Sequence, residues 1–216
     1  MSSIKDCLRN YRFIAFDIEF PGSLRDTPQH ASDDQRYIDM SFSVNRTKLI
    51  HLGLTLFDSN GRVGGTWEIN FWDFGDAEDA RNDKSIDFLK HNGLDLKKIR
   101  AQRIEIEGFF SDLSWILKST RNITWVTFHG SGKSIPVTPV RFAKAVARTL
   151  GSVFDLKAMA DRYEGLGFRL GLEHLADALG LDRVGTAHHA GSDSELTARV
   201  FIKMTKIFND VQEAEG

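Results

Sequence analysis

Asp17 and Glu19 stand two residues apart in the run Phe13-Ile14-Ala15-Phe16-Asp17-Ile18-Glu19-Phe20. Side chains of an extended strand alternate between faces, so Ile14, Phe16, Ile18 and Phe20 share one face and the two carboxylates share the other. Carboxylates placed together in this way repel each other and lose hydration unless a cation or water relieves them. Taken alone, the pair reads as a solvated strand edge. A second stretch is His188-His189-Ala190-Gly191-Ser192-Asp193. Asp193 falls in the first turn of the predicted final helix, where the helix dipole favours a negative charge, and His188 precedes it in the loop. Taken alone, this is a dipole-favoured acid beside a surface loop histidine. Combined, Asp17, Glu19 and Asp193 could converge on a divalent ion through oxygen ligands, with His188 close enough to take a proton from water. Hard ions of the Mg²⁺ type suit carboxylates, and two of them about 4 Å apart are a common device for phosphodiester hydrolysis.

The elements that must position these residues are legible from periodicity. Phe13–Phe20 reads as a strand, followed by a polar stretch from Gly22 to Thr47. Leu49–Asp58 reads as a second strand and Trp67–Trp72 as a third, joined through a turn at Asn60-Gly61. Three strands in series before any long helix predict an antiparallel meander. Phe109, Leu113, Ile116 and Leu117 recur at helical spacing, and Ile123–Phe128 reads as a short buried strand. Further helices are predicted at Phe142–Leu150, Val153–Tyr163 and Leu172–Leu179. The last is marked by Leu196, Val200, Met204 and Ile207, with Ser192 and Glu195 in capping-box register. The expected class is α/β, a mixed sheet that is antiparallel first, then parallel, and flanked by helices.

Composition bounds the function classes. A chain of 216 residues with 41% hydrophobic and 27% charged residues has the make-up of one globular domain and argues against disordered, collagenous or coiled-coil classes. The net charge of −2 gives no global basic field for a nucleic-acid partner, although a local patch remains compatible with it. Cys7 is the sole cysteine, which excludes an intramolecular disulfide and a Cys-rich zinc site. No apolar run approaches the roughly 18 residues of a membrane span, and Met1–Asn10 lacks the apolar core of a signal peptide. The expectation is a soluble intracellular protein without a membrane partner.

Three segments carry a resemblance. Phe16-Asp17-Ile18-Glu19-Phe20-Pro21-Gly22, Trp125-Val126-Thr127-Phe128-His129-Gly130 and His188-His189-Ala190-Gly191-Ser192-Asp193-Ser194 resemble signatures of the Caf/Pop-type deadenylases, catalytic subunits of the Ccr–Not complex. The likeness runs from Ser2 to Ile207 and includes Ile50–Leu56 and Leu172–Val184. It implies one ribonuclease-H-like domain over the chain, and four metal-binding acids in the order Asp, Glu, Asp, Asp with a histidine. It further implies a divalent cofactor, Mg²⁺ or Mn²⁺, and 3′ to 5′ removal of poly(A) tails from messenger RNA with release of 5′-AMP. Ccr–Not subunits would be partners, in nucleus and cytoplasm. By motif match, Asp17, Glu19 and Asp193 inherit ligand roles and His188 the general-base role.

The sequence departs from that pattern at one acid. The family's remaining aspartate should follow the Trp125–Gly130 strand, but the 42 residues from Leu113 to Phe154 contain no Asp or Glu. Lys118, Arg121, Lys133, Arg141, Lys144 and Arg148 occupy the window instead, as a solvated face or as a groove that tracks phosphates. Aligned without gaps, Lys133 stands at the aspartate's place. The alternative, a block lost after Gly130, matches Ser131–Pro136 to the loop beyond the missing helix and is the favoured one. Asp155 then falls on a non-ligand acid. The two-metal site is therefore expected to be incomplete. The alternative to an enzyme is a catalytically impaired relative that binds RNA or fills a place in the Ccr–Not scaffold.

Other motifs are read as structural. Gly130-Ser131-Gly132-Lys133-Ser134 imitates a nucleotide-binding loop, but Thr127 stands where its first glycine belongs, and Pro136 and Pro139 oppose the helix it should open. His51 and His129 are expected as satisfied core or loop histidines, His174 as solvated, and Trp67, Phe71 and Trp72 as sheet packing rather than a base-stacking platform.

Overall fold

The computed structural model describes residues 1–28, 30–75, 78–102, 104–120, 122–128, 152–162 and 170–215. The predicted helix Phe142–Leu150, together with His129, Lys133 and the glycine-rich imitation loop, lies outside the described residues. Strand β1 (Phe13–Glu19) is the centre of a five-stranded sheet. It pairs antiparallel with β2 (His51–Phe57), from Phe13 opposite Phe57 to Glu19 opposite His51. Its other edge pairs parallel with β4 (Thr124–Thr127). β3 (Val63–Asn70) lies antiparallel on β2, and β5 (Ser152–Asp155) lies parallel on β4, so the order is β3-β2-β1-β4-β5. The predicted meander and parallel extension both form.

Each face of the sheet carries its own core. Ile14, Leu52, Leu54, Leu56 and Trp125 pack against Phe109, Leu113, Ile116 and Leu117 of α5 (Ile106–Lys118), with Ile4 of the N-terminal helix α1 (Ser2–Cys7). On the opposite face, Ala15, Phe57 and Val126 meet Leu196, Val200, Phe201 and Met204 of the terminal helix Ala190–Glu215. Covered on both sides, β2 is buried at every residue, which explains its nearly unbroken apolar run. A smaller cluster of Ile50, Phe74, Ile86, Leu89, Leu94 and Ile99 fixes α3 (Asp83–His91) and α4 (Leu96–Gln102) beside the ends of the strands. No helix among the described residues is long and apolar enough to cross a membrane.

Several local expectations change. The polar stretch Gly22–Thr47 contains helix α2 (Asp33–Val44), begun by Ser32, whose hydroxyl accepts from the Gln35 amide at 3.2 Å. Its stability comes partly from a buried polar knot: Asp39 accepts from Arg25, Thr27 and Gln35, a pattern that hydrophobic periodicity does not reveal. Val153–Tyr163 was expected to be one helix, but Ser152–Asp155 is strand and only Leu156–Ala160 is helical. Val153 and Phe154 suit a pleated strand, and the Asp155 carboxylate starts the helix by accepting from the Lys157 amide at 2.9 Å. Ile18 is 36% exposed, although Phe16 and Phe20 on either side of it pack against the α5-side core.

The terminal helix approaches β2 so closely that a side chain at one position would collide. A β-carbon on Gly53 would lie 1.7 Å from the backbone oxygen of Ala190. Gly53→Ala is therefore expected to destabilise the protein by about 3 kcal/mol or more, since the obstacle is backbone rather than a movable side chain. The midpoint of denaturant unfolding checks this.

Candidate active site

β1 ends at Glu19 and projects Asp17 and Glu19 from the face that the terminal helix covers, as its alternation requires. Asp17 lies opposite Gly53 in the β1–β2 register, so the contact between Gly53 and Ala190 brings the start of the helix next to the acids. Asp193, in the first turn of that helix, is 7% exposed. One ligand atom each from Glu19, His188 and Asp193 lie within 4.8 Å of one another. Asp17 is outside this closest trio but interacts electrostatically with both of its carboxylates.

The cluster is costly without a cation. Burial, then repulsion from Glu19 and Asp193, raises the Asp17 carboxyl well above its usual range, against the opposing influence of the Ile18 amide and Arg183. Glu19 is raised from 4.5 to about 7, first by burial and then by Asp193 and Glu68. Buried and half-buried carboxylates that repel one another, with an imidazole at their edge, fit a hard divalent ion such as Mg²⁺ or Mn²⁺.

The helix start is built differently from the expected capping box. The helix begins at Ala190, two residues before Ser192, and the Gly191 amide donates to the Glu68 carboxylate of β3 at 3.2 Å. A carboxylate from the neighbouring strand thus meets the positive helix end, where charge and orphan amides both favour it. Ser192 instead donates to the Val184 carbonyl at 2.7 Å. Deeper in, Ser194 donates to the Gly191 carbonyl and shares a 2.9 Å hydrogen bond with Thr55 of β2. His188 has φ +62°, a left-handed conformation that a non-glycine residue adopts at some cost, and its ring meets that of Phe88 edge-on at 4.6 Å.

Arg183 brings positive charge to the cluster. Its guanidinium donates to Asp193 at 2.5 Å and to Ser192 at 3.1 Å, and forms a salt bridge with Glu173. Sequence reasoning missed Arg183, Glu68 and Phe88, because their relation to the acids exists only in the folded chain. Gly53 carried a signal, since a glycine inside an apolar strand marks close backbone approach.

The remaining candidates fall elsewhere. Asp155 caps its short helix and is not in the close trio. His51 is buried as expected, but neither ring nitrogen has a hydrogen-bond partner, so it is not a satisfied histidine. Burial holds its pKa down, with Glu68 opposing and His189 adding to the effect. His174 is exposed. Phe71 is fully buried and Trp67 packs on the core, whereas Trp72 is 42% exposed.

Comparison with known proteins agrees with the fold and the motifs. The family model described as CAF1 family ribonuclease matches residues 1–105. Putative CCR4-associated factor 1 homolog 8 of Arabidopsis thaliana is 66% identical, over 96% of this chain and 92% of its own length. The chain belongs to the CAF1 family. Among solved structures, S. pombe Pop2p in its Mg²⁺- and Mn²⁺-bound form superposes with a TM-score of 0.76 at 29% identity, covering 97% of this chain and 88% of that one. CAF1 co-crystallised with the yeast NOT1 MIF4G domain shares the fold, with a TM-score of 0.65, 21% identity, and coverage of 95% and 83%. A product-bound exonuclease I shares it more distantly, with a TM-score of 0.56, 16% identity, and coverage of 92% and 44%. The architecture of this CAF1 chain is thus ribonuclease-H-like.

Two outcomes are expected. Between pH 4.5 and about 7, Glu19 retains in the folded state a proton that it has lost in the unfolded state, so metal-free stability falls as pH rises through that window. Glu19→Gln should flatten the slope, as read by thermal unfolding in EDTA from about pH 4 to about pH 8. Arg183→Met leaves the Asp193 carboxylate buried without its partner and should cost the metal-free protein about 3 kcal/mol, part of it recovered on adding Mn²⁺.

Proposed function

We propose that the chain is a metal-dependent 3′–5′ exoribonuclease that shortens the poly(A) tails of messenger RNA and releases 5′-AMP, acting as one ribonuclease-H-like domain. The observation that carries this is the convergence of Glu19, His188 and Asp193 within 4.8 Å, beside a half-buried Asp17. Membership of the CAF1 ribonuclease family supports the reaction class, and the Mg²⁺- and Mn²⁺-bound Pop2p neighbour supports a divalent cofactor. Such an ion, when bound, would supply positive charge to the phosphoryl oxygens and make the attacking water more acidic.

The chain's own groups divide the remaining work. Asp17, Glu19 and Asp193 would hold the ion and would have to be ionised to do so. His188 is exposed at the rim of the trio and, in its neutral form, takes the proton from the attacking water. Its contact with Phe88 limits the directions the ring can face. Arg183 holds one oxygen of Asp193, which leaves the other free to ligate.

The acid-free window from Leu113 to Phe154 favours a second reading, in which the chain binds RNA or fills a place in the Ccr–Not assembly with little cleavage. The NOT1-bound CAF1 neighbour supports a Ccr–Not partnership under either reading. Residence in nucleus and cytoplasm is proposed with it. Loss of one ligand is expected to lower metal affinity or activity by about 10- to 100-fold. The deciding experiment incubates 5′-labelled A-tailed RNA with the protein in Mg²⁺ or Mn²⁺, beside Asp17→Ala. The expected result is a ladder shortening from the 3′ end that the variant lacks. RNA or NOT1 binding without shortening would replace the enzyme with the scaffold subunit.

A further inference from the structure

One oxygen of Glu68 meets the chain on both sides of Ala190. Its Oε2 accepts from the Gly191 amide at 3.2 Å and lies 3.8 Å from Nδ1 of His189. His188 and Asp193 flank that short stretch. We propose that Glu68 is a positioning residue, which holds this turn so that His188 and Asp193 stand correctly towards Glu19; this rests on the metal-dependent function proposed above. The sheet register places it for the task. Glu68 of β3 and Asp17 of β1 both lie opposite Gly53, on the face that the terminal helix covers. The helix start fills the gap over Gly53, between the two carboxylates. A β-carbon on Gly191 would stand 3.2 Å from that of Glu68, so the backbone there rests against this side chain.

The hold passes from Glu68 to both members of the trio on this segment. The Asp193 amide donates to the His189 carbonyl at 2.9 Å, so a shift of His189 is a shift of Asp193. A β-carbon on Gly93, just past α3, would stand 3.0 Å from Nε2 of His189, which confines the ring between that turn and Glu68. His188 has φ +62°, and a strained residue keeps such a conformation where its surroundings over-determine it. Glu68 supplies part of that constraint by fastening residues 189 and 191. The Gly191 amide belongs to the first turn of the helix, where amides have no partner inside the helix, and a carboxylate makes a strong acceptor for it. Misplacing a reacting group by about 1 Å can cost about 100-fold in rate, so a fixed turn matters to the site.

The test reads Mn²⁺ affinity from the spin resonance of the free ion and, separately, kcat and KM on 5′-labelled A-tailed RNA at saturating Mn²⁺. Glu68→Ala should bind Mn²⁺ about 10-fold more weakly and lose about 10-fold in kcat, with KM for RNA unchanged. Glu68→Gln keeps an acceptor for the Gly191 amide without the charge and should recover most of both losses. Glu68→Asp keeps the charge but falls short of the amide and should behave as Glu68→Ala does. A merely architectural role would lower the thermal midpoints while leaving the Mn²⁺ affinity and kcat of the folded variants at wild-type values, and that result would overturn the proposal. So would the reverse ranking, Glu68→Asp rescued and Glu68→Gln impaired, because charge rather than reach would then matter. Should Glu68→Ala fail to fold, the comparison of Gln with Asp decides. The expected order of Mn²⁺ affinities without any cleavage of RNA would overturn the exoribonuclease reading and uphold the positioning role. A wild type that binds no Mn²⁺ would overturn both.

Discussion

Mutual repulsion among carboxylates held on one face of a sheet is the constraint around which this molecule is arranged. Asp17 and Glu19 come from the central strand, Glu68 from β3 and Asp193 from the terminal helix, and each carries the same charge into partly dry surroundings. Nothing in those side chains would bring them together. They are forced together by backbone packing, through the missing side chain at Gly53 and the hydroxyl contact between Thr55 and Ser194. The apolar stripe of the terminal helix on Ala15, Phe57 and Val126 supplies the burial that offsets the electrostatic cost. A site of this kind is poised for a cation because it is unfavourable without one.

Neighbouring groups offset part of that repulsion. Arg183 neutralises part of Asp193, and Glu173 holds Arg183 from its other side. Glu68 spends part of its charge on the exposed Gly191 amide at the helix start. Protonation of Glu19 below about pH 7 removes a further charge. The segment from Leu113 to Phe154 adds no carboxylate to this balance, because it contains no Asp or Glu.

Much of the scaffold was legible beforehand because its signals are local. Period-two alternation in Phe13–Phe20, the apolar run of β2 and the helical spacing of Phe109, Leu113, Ile116 and Leu117 each follow from one element burying one or two faces. The failures have equally local causes. α2 was hidden because it is stabilised by the polar knot at Asp39 rather than by an apolar stripe. β5 merged with the helix after it because four residues are too few to show a period. The capping box of Ser192 and Glu195 did not form because Glu68, remote in sequence, met the helix start instead.

For the site, the sequence by itself determined which residues carry the charge: Asp17 and Glu19 on one strand face, and His188 and Asp193 at a helix start. Residue type and alternation along a single element suffice for that. Only the tertiary structure decided that Glu19, His188 and Asp193 come within 4.8 Å while Asp17 is not of that trio. It also decided that Arg183 bonds to Asp193 and that Phe88 meets His188. These relations join segments far apart in the chain, and they are set by where the terminal helix and α3 dock on the sheet. Docking depends on the summed packing of many residues, and no local pattern encodes that sum.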